Sequence, residues 1–323
     1  MTIQNSPSDS ILVLGAGELG ACVLRELAKF RDAGQVGAVS VLLRPDAGAT
    51  SSHRADTVAM LGALQISIVE ADLAVDSEED LAAIFSGFDQ IICCTGFVGG
   101  LGTQRKITAA VLAAGVAHYI PWQFGVDYDV VGRGSGQDVW DEQLDVRDML
   151  RGQDSVRWTI VSTGMFTSFV VLPAFGLVDL ERGVVRALGE WDYELTVTTP
   201  EDIGRLNAFV AANRREFEDK IVHVAGDTFT YSELADTLEV VLGRSFKRER
   251  LSVPQLRADV AEQPNDVMRK YRLAFARKDG VAWPKDQTLN SKLGMTVIDL
   301  KTWLSEWNAR ISVTRKSTVT GNR

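Results

Sequence analysis

The sequence predicts an α/β fold in which a doubly wound parallel sheet is joined to a second, smaller α+β domain. Short runs of aliphatic and β-branched residues recur along the first half of the 323-residue chain, and helical segments separate them. Uninterrupted apolar strands are typical of parallel sheets whose two faces are covered by helices. After about residue 165 the alternation becomes less regular. A different second domain is therefore expected there.

The individual elements follow from the same patterns. Six strands are expected, in chain order, at SILVLGAG, VSVLLR, ISIVEADL, DQIICCTG, AHYIPWQFG and RWTIVSTGMF. The segment TQRKITAAVLAAG has helical spacing, and Gly115 is expected to end this helix as its C-cap. We expect one domain over 1–165, with returns from about 197–227, and the smaller domain over 166–323.

Composition excludes several classes of function. The net charge of −9 and the pI near 5.0 disfavour nucleic acid as a partner, since phosphate binding requires a clustered cationic face. No apolar run reaches the roughly 18 residues of a membrane span, and the polar start lacks the apolar core of a secretory signal. The three cysteines show neither a disulfide framework nor metal-ligand spacing. We expect a cytoplasmic protein with no metal site.

A glycine-rich turn follows the first predicted strand. In LVLGAGELG, three glycines form the pattern G-x-G-x-x-G directly between a strand and a helix. Such a turn lets the backbone approach a pyrophosphate, and the helix N-terminus offers unpaired N–H groups. The pattern predicts a Rossmann-type dinucleotide site. Its contacts are expected from Gly15, Ala16, Gly17, Glu18, Leu19 and Gly20.

The end of the second strand indicates which dinucleotide binds. The strand ends LLRPD, and Arg44 there suits the 2′-phosphate of NADP(H), to which Arg54 adds a second cation. Asp46, two residues further on, could instead bind the ribose hydroxyl of NAD, so NADP(H) is favoured and NAD is left open. Three residues after the fourth strand are also expected to contact the coenzyme: Thr95, Gly96 and Phe97.

Four segments together carry a resemblance to a known family. GAGELG, the strand-ending Arg44, IPWQFGVDYD and STGMFTSF resemble the NmrA-like and isoflavone reductase-like branch of the atypical short-chain dehydrogenases. WQFGVDYD with DEQLDVRDMLR resembles fungal members of secondary metabolism. The resemblance implies two lobes, NADP(H), an aromatic small-molecule substrate, and a monomer or homodimer. It also implies coenzyme contacts from Gln123, Phe124, Gln143, Thr163, Met165 and Phe166.

One residue departs from the family's reductases. Their helix pattern F-x-x-K-x-x-x-R falls on Trp140, Gln143 and Arg147, so an amide stands where the lysine is expected. An amide hydrogen-bonds a ribose hydroxyl, but it does not exchange a proton near neutral pH. Tyr128 and Asp127 are the other candidates for handling protons. Four more carboxylates are nearby in sequence: Asp129, Asp138, Asp141 and Glu142.

Three functions are consistent with this combination. The first is an NADP(H)-dependent reductase of an aromatic or polycyclic small molecule, favoured by the complete coenzyme motif. The second is a non-redox enzyme that keeps NADP(H) as a structural element, for instance for a Pictet–Spengler-type cyclisation, and Gln143 favours it. The third is a regulator that senses dinucleotides. We expect the reductase.

Overall fold

The computed structural model describes residues 9–45, 52–97 and 99–320, which divide into two compact units. The first unit consists of the described residues within 1–124, 138–162 and 200–222. The second unit consists of those within 125–137, 163–199 and 223–323. Assignment of a coenzyme-binding domain to 1–165 and of a substrate domain to 166–323 stays a prediction.

The described strands were numbered in chain order. They are β1 (Ile11–Leu14), β2 (Val39–Leu43), β3 (Ser67–Glu70), β4 (Gln90–Cys93), β5 (His118–Ile120), β6 (Arg157–Ser162), β7 (Met165–Phe166), β8 (Val178–Asp179), β9 (Val184–Leu188), β10 (Glu194–Thr198), β11 (Lys220–His223), β12 (Asp227–Thr230) and β13 (Lys247–Leu251).

The helices follow the same convention. They are α1 (Glu18–Asp32), α2 (Ser52–Ala63), α3 (Glu78–Phe85), α4 (Thr103–Ala114), α5 (Tyr128–Val131), α6 (Asp138–Arg151), α7 (Pro200–Ala212), α8 (Arg214–Phe217), α9 (Tyr231–Leu242), α10 (Val253–Glu262), α11 (Val267–Phe275), α12 (Leu289–Lys292) and α13 (Leu300–Thr320). Two short 3₁₀ segments lie at Thr167–Val171 and Lys285–Gln287. No described helix is long and apolar enough to cross a membrane.

The first unit is built on a seven-stranded sheet in the order β11-β6-β5-β4-β1-β2-β3. The pairings from β6 through β3 are parallel. All four residues of β1 are fully buried, and α1 packs on α7 while α4 packs on α3 and α6. The predicted doubly wound parallel sheet is confirmed. The strand order reverses between β1 and β4, the place where ligands bind in open sheets of this type.

Two predicted strands are shorter than the sequence pattern indicated. β5 ends at Ile120, because Pro121 has no N–H to donate to a ladder. The run RWTIVSTGMF is divided between β6 and β7, which belong to different sheets. Gly164 separates them with φ +70, and a Cβ there would lie 2.2 Å from the Thr196 carbonyl oxygen. The predicted end of α4 is confirmed, since Gly115 is left-handed (φ +63) and donates to the Leu112 carbonyl.

The second unit contains two three-stranded sheets, in the orders β12-β10-β7 and β13-β9-β8. β10 pairs with β12 in antiparallel fashion, and β9 pairs with β13 in parallel. Helix α9 begins with a capping box in which Thr230 and Glu233 bond each other's backbone N–H groups. Leu188, Leu195 and Val197 of these sheets are buried.

Candidate functional site

The glycine turn after β1 is tightly packed at two of its glycines and has open space beside the third. Gly15 has φ +90 and donates its N–H to the Leu42 carbonyl at 3.0 Å. A Cβ on Gly20 would lie only 2.1 Å from the Gly15 carbonyl oxygen, so only glycine allows this approach of helix to turn. A Cβ on Gly17 would meet nothing within 4 Å. Open space therefore lies beside Gly17.

Helix α1 begins at this turn without a side-chain cap. Gly17 is the N-cap residue, and no described side chain bonds its first N–H groups. Ala16 is half-buried, Glu18 is exposed and Leu19 is buried. Unsatisfied N–H groups at a helix start carry partial positive charge. The terminus can accept an anion such as a pyrophosphate.

Two arginines meet beyond the end of β2. Arg44 is exposed, and Arg54 of α2 donates to the Arg44 carbonyl at 2.8 Å. The guanidinium of Arg54 also lies 3.4 Å from the Glu70 carboxylate. The alternative ribose ligand, Asp46, lies outside the described residues. The structure thus places the Arg54 guanidinium at the backbone of Arg44, and the assignment of both cations to a 2′-phosphate stays a prediction.

The end of β4 lies beside the glycine turn. A Cβ on Gly15 would touch the Thr95 side chain at 2.9 Å. Gly96 has φ +60, and its carbonyl accepts a hydrogen bond from the Gln104 side chain. The ring of Phe97 meets Trp122 edge-on at 4.4 Å. Residues 95–97 therefore line the same edge of the sheet as the glycine turn, as the predicted coenzyme contacts require.

Helix α4 also starts after glycines, but here the chain supplies an anion. Gly102 is left-handed (φ +92), and the buried carboxylate of Glu142 accepts the N–H groups of Gly102 at 2.9 Å, Gln104 at 2.9 Å and Arg105 at 3.2 Å. Glu142 reaches this position from α6. The structure therefore assigns Glu142 to helix capping rather than to proton transfer.

Next to Glu142 on α6, a chain of polar side chains is fully buried. Arg147 donates from Nε to Oε1 of Gln123 at 3.0 Å, and Gln123 donates from Nε2 to Oε1 of Gln143 at 2.8 Å. All three residues are 0% exposed. Arginine has only donors, so it fixes the orientation of the Gln123 amide and, through it, that of Gln143.

As a result, the side-chain N–H group of Gln143 is held in one orientation. Oε1 of Gln143 accepts the hydrogen bond from Gln123, whereas Nε2 of Gln143 has no hydrogen-bond partner among the described residues. A buried N–H without a partner costs about 1–3 kcal/mol, which a ligand oxygen would recover. Gln143 can thus hold a hydroxyl or carbonyl oxygen, but it cannot take up a proton. Phe124, adjacent to Gln123, is buried.

The remaining predicted contacts belong to the second unit. Thr163 is fully buried and donates its backbone N–H to the Gly125 carbonyl at 2.9 Å. Met165 and Phe166 form β7 and pair with β10. Tyr128 is 2% exposed, and its ring covers Gly125 so closely that a Cβ there would touch the phenol oxygen. The assignment of these residues to a coenzyme or a proton stays a prediction.

The sequence did not reveal one pairing in the second unit. Asp127 Oδ2 lies 3.2 Å from Nε2 of His223, the last residue of β11. The two residues are 96 positions apart. No local pattern joins them, because neither periodicity nor a turn signal extends over such a separation. Among the described residues, no three His, Cys, Asp or Glu side chains form a group that could hold a metal ion.

Comparison with known proteins agrees with the fold. The family model described as NmrA-like family matches residues 7–292. An NmrA-like family domain-containing oxidoreductase of Gibberella moniliformis is 43% identical over 303 residues, which are 93% of this chain and 99% of that protein.

Solved structures show the same architecture. An isoflavone reductase crystal structure superposes with a TM-score of 0.76 at 22% identity, covering 93% of this chain and 99% of the other. The complex of leucoanthocyanidin reductase with NADPH from Vitis vinifera gives a TM-score of 0.75 at 18% identity, covering 92% and 99%. At these identities the likeness shows the fold alone. The family model and the Gibberella relative show that the chain belongs to the NmrA-like family.

Proposed function

We propose that this protein is an NADP(H)-dependent reductase of an aromatic or polycyclic small molecule. The observation that carries the proposal is the uncapped start of α1, with open space beside Gly17 and two arginines beyond the neighbouring strand end. The family relative from Gibberella moniliformis, which is named an oxidoreductase, supports the same assignment. The fungal resemblance of the sequence supports a place in secondary metabolism, in the cytosol.

Different residues of the first unit bind different parts of the coenzyme. The N–H groups of the turn from Gly15 to Gly20 bind the pyrophosphate, and Arg44 with Arg54 binds the 2′-phosphate. Residues 95–97, together with Gln123 and Phe124, line the path towards the nicotinamide. The coenzyme supplies a hydride when bound. The family resemblance also assigns coenzyme contacts to Thr163, Met165 and Phe166.

In this proposal Gln143 orients the coenzyme or the substrate and does not exchange a proton. Its Nε2 donates to a ribose hydroxyl or to the oxygen of the substrate, and Arg147 with Gln123 holds it in that direction. The substrate must therefore accept a hydride without a strong base from this residue. Tyr128 and Asp127 remain the proposed residues for handling protons, and the burial of Tyr128 makes Asp127 the more accessible of the two.

A binding experiment tests the coenzyme assignment. Calorimetric titration of the purified protein with NADPH and NADH should show tighter binding of NADPH. Replacing Arg44→Gln should weaken NADPH by about 10- to 100-fold, because one charge-assisted contact to the phosphate is lost, and leave NADH unchanged. Lys29→Gln, an exposed cation of α1, is the matched control. No heat with either coenzyme would refute the proposal.

A transfer experiment tests the reaction. NADPH carrying deuterium at both C4 positions should deliver the label to a carbon of the product when the protein is offered enones and aromatic ethers. Gln143→Lys should raise the rate with such substrates if the missing amine limits turnover. Loss of label to solvent, or product without label, would contradict hydride transfer.

The buried amide chain favours a second candidate. Gln143 stands at the position of the family's lysine and accepts a hydrogen bond from Gln123, and neither amide exchanges a proton near neutral pH. A non-redox enzyme that keeps NADP(H) as a structural element fits this composition. For that enzyme, product would form from an amine and an aldehyde while the near-ultraviolet absorbance of NADPH stays constant.

A further inference from the structure

A cavity of about 690 Å³ lies wholly within the second unit. Volumes of roughly 300–1,000 Å³ are typical of small-molecule sites. Its lining includes Asp127, His223 and Trp283, together with Lys278 and Lys292. Among the predicted site residues, only Asp127 lines this cavity, so the coenzyme motif does not account for it.

Two hydrogen bonds hold Asp127 in place. Its backbone N–H donates to the Gly280 carbonyl at 2.8 Å, and its Oδ1 accepts the Asp129 N–H at 3.2 Å as the cap of α5. Gly280 has φ +78, and a Cβ there would lie 2.8 Å from the Val131 side chain, so the close approach requires glycine. These contacts direct Oδ2 towards His223.

The contact with Asp127 sets the tautomer of His223. An ionised carboxylate only accepts hydrogen bonds, so Nε2 of the imidazole must carry the proton that bridges the 3.2 Å distance. In the neutral ring, Nδ1 then has the free lone pair. Among the described residues His223 makes no other side-chain hydrogen bond, and its side chain is 30% exposed. A base held by a carboxylate is therefore available at the cavity wall.

Trp283 provides a rigid apolar wall beside this base. Its indole N–H donates to the Val224 carbonyl at 3.1 Å, and its backbone N–H donates to the Thr196 hydroxyl at 3.2 Å. The imidazole of His223 meets the indole at 4.8 Å with an angle of 64° between the rings. Pro284 continues the apolar lining. A flat aromatic ring suits such a wall.

The charges of the lining restrict the ligand further. Lys278 and Lys292 are opposed by Asp279 and Asp286, in addition to Asp127. A phosphate-bearing ligand would meet three carboxylates, and a strongly cationic ligand would meet two ammonium groups. A neutral ring with a weakly acidic hydroxyl avoids both costs. Once it is ionised, a lysine can donate to its oxygen.

We propose that this cavity binds a phenolic aromatic compound, with His223 as the proton acceptor and Asp127 as the residue that positions it. On binding, the phenol O–H bond breaks, and an N–H bond forms at Nδ1 of His223. The imidazolium is stabilised by Asp127, and the phenolate keeps the electron pair in a cavity whose lining also includes Lys278 and Lys292. No oxidant or reductant takes part, so the proposal does not depend on the coenzyme.

The test uses a probe whose spectrum reports its ionisation. The full-length protein without coenzyme is titrated with 7-hydroxycoumarin, which absorbs at longer wavelength as the phenolate, at a pH where the free probe is mostly neutral. Saturable binding with the phenolate spectrum is expected. 7-Methoxycoumarin, which has no phenolic proton, should bind at least about tenfold more weakly, because His223 then lacks its hydrogen bond.

Two variants distinguish the role of His223 from that of Asp127. His223→Gln should weaken the probe about tenfold and leave the bound fraction neutral, because an amide does not accept the proton. Asp127→Asn should retain binding but lower the ionised fraction of bound probe, a spectral change that a merely structural role would not cause. Glu306→Gln, which changes an exposed carboxylate of α13 that does not line the cavity, is the matched control and should resemble wild type.

Three results would overturn the proposal: no saturable binding, equal binding of the methoxy compound, or a phenolate spectrum that survives His223→Gln. If His223→Gln does not fold, ¹⁵N NMR of the wild-type imidazole decides the matter. Addition of the probe must then shift Nδ1 towards its protonated value, and an unchanged Nδ1 signal contradicts the proposal. NADPH affinity measured in parallel separates failure here from failure of the coenzyme assignment.

Discussion

The turns after β1 and β4 look alike in sequence and differ in chemistry. Both follow neighbouring parallel strands, both are rich in glycine, and both lead into a helix. At α4 the carboxylate of Glu142 accepts three N–H groups of the first turn, whereas at α1 no described side chain caps the helix. The N-terminus of α4 already has an anionic partner, whereas the N-terminus of α1 has none among the described residues.

This difference locates the anion site more sharply than glycine content does. A phosphate placed at α4 would meet the negative charge of Glu142 in a partly buried setting, where like charges repel strongly. At α1 the same phosphate would meet unpaired N–H groups and the open space beside Gly17. A glycine-rich strand-to-helix turn therefore indicates a dinucleotide only where the chain leaves the helix start unsatisfied.

The largest effect is expected from Gly20→Ala. The new methyl group would lie 2.1 Å from the Gly15 carbonyl oxygen, which is backbone and cannot rotate away. The free energy of unfolding should fall by about 3 kcal/mol, and coenzyme binding should be lost with the shape of the turn. Urea denaturation and calorimetry measure the two effects.

Gly17→Ala is the matched control in the same turn. Its methyl group meets nothing within 4 Å, and φ is −67, so the free energy of unfolding should change by about 1 kcal/mol or less. Coenzyme affinity should nevertheless fall, because the methyl group occupies the space assigned to the pyrophosphate. Unchanged affinity in Gly17→Ala would remove the basis for placing a ligand there.

A smaller effect is expected at the other terminus. Glu142→Ala removes the acceptor of three N–H groups, and the free energy of unfolding should fall by about 2 kcal/mol. Glu142→Gln keeps one acceptor oxygen and should recover part of this loss. Both variants should bind NADPH as wild type does. Weaker binding in Glu142→Gln, with its fold intact, would show that the two termini do not act separately.

The smallest effect concerns the cysteines near each turn. Burial and the carboxylate of Glu201 raise the pKa of Cys22 on α1 to about 11, so about one part in a thousand is thiolate at pH 8. Burial raises the pKa of Cys94, at the end of β4, well above its usual range. Alkylation followed by mass spectrometry should label Cys22 first, with a rate that increases about tenfold per pH unit below its pKa. Earlier labelling of Cys93 or Cys94 would mean that the β4 end opens more readily.

Local patterns predicted most of the sheet. Apolar runs identified β1 to β6, and glycine at the end of α4 identified its C-cap, because burial and left-handed backbone are properties of a few adjacent residues. The errors have local causes as well. The run RWTIVSTGMF has continuous strand composition, and its division at Gly164 is required by the carbonyl of Thr196, which comes from another part of the chain.

The sequence by itself determined the fold class, the glycine turn and the replacement of the family's lysine by Gln143. Only the tertiary structure decided which groups meet: Glu142 with Gly102 across 40 positions, Gln143 with Gln123 across 20, and His223 with Asp127 across 96. The physical reason is that backbone conformation and burial follow from neighbouring residues, whereas hydrogen bonds between side chains depend on distances that exist only after the sheets and helices have packed.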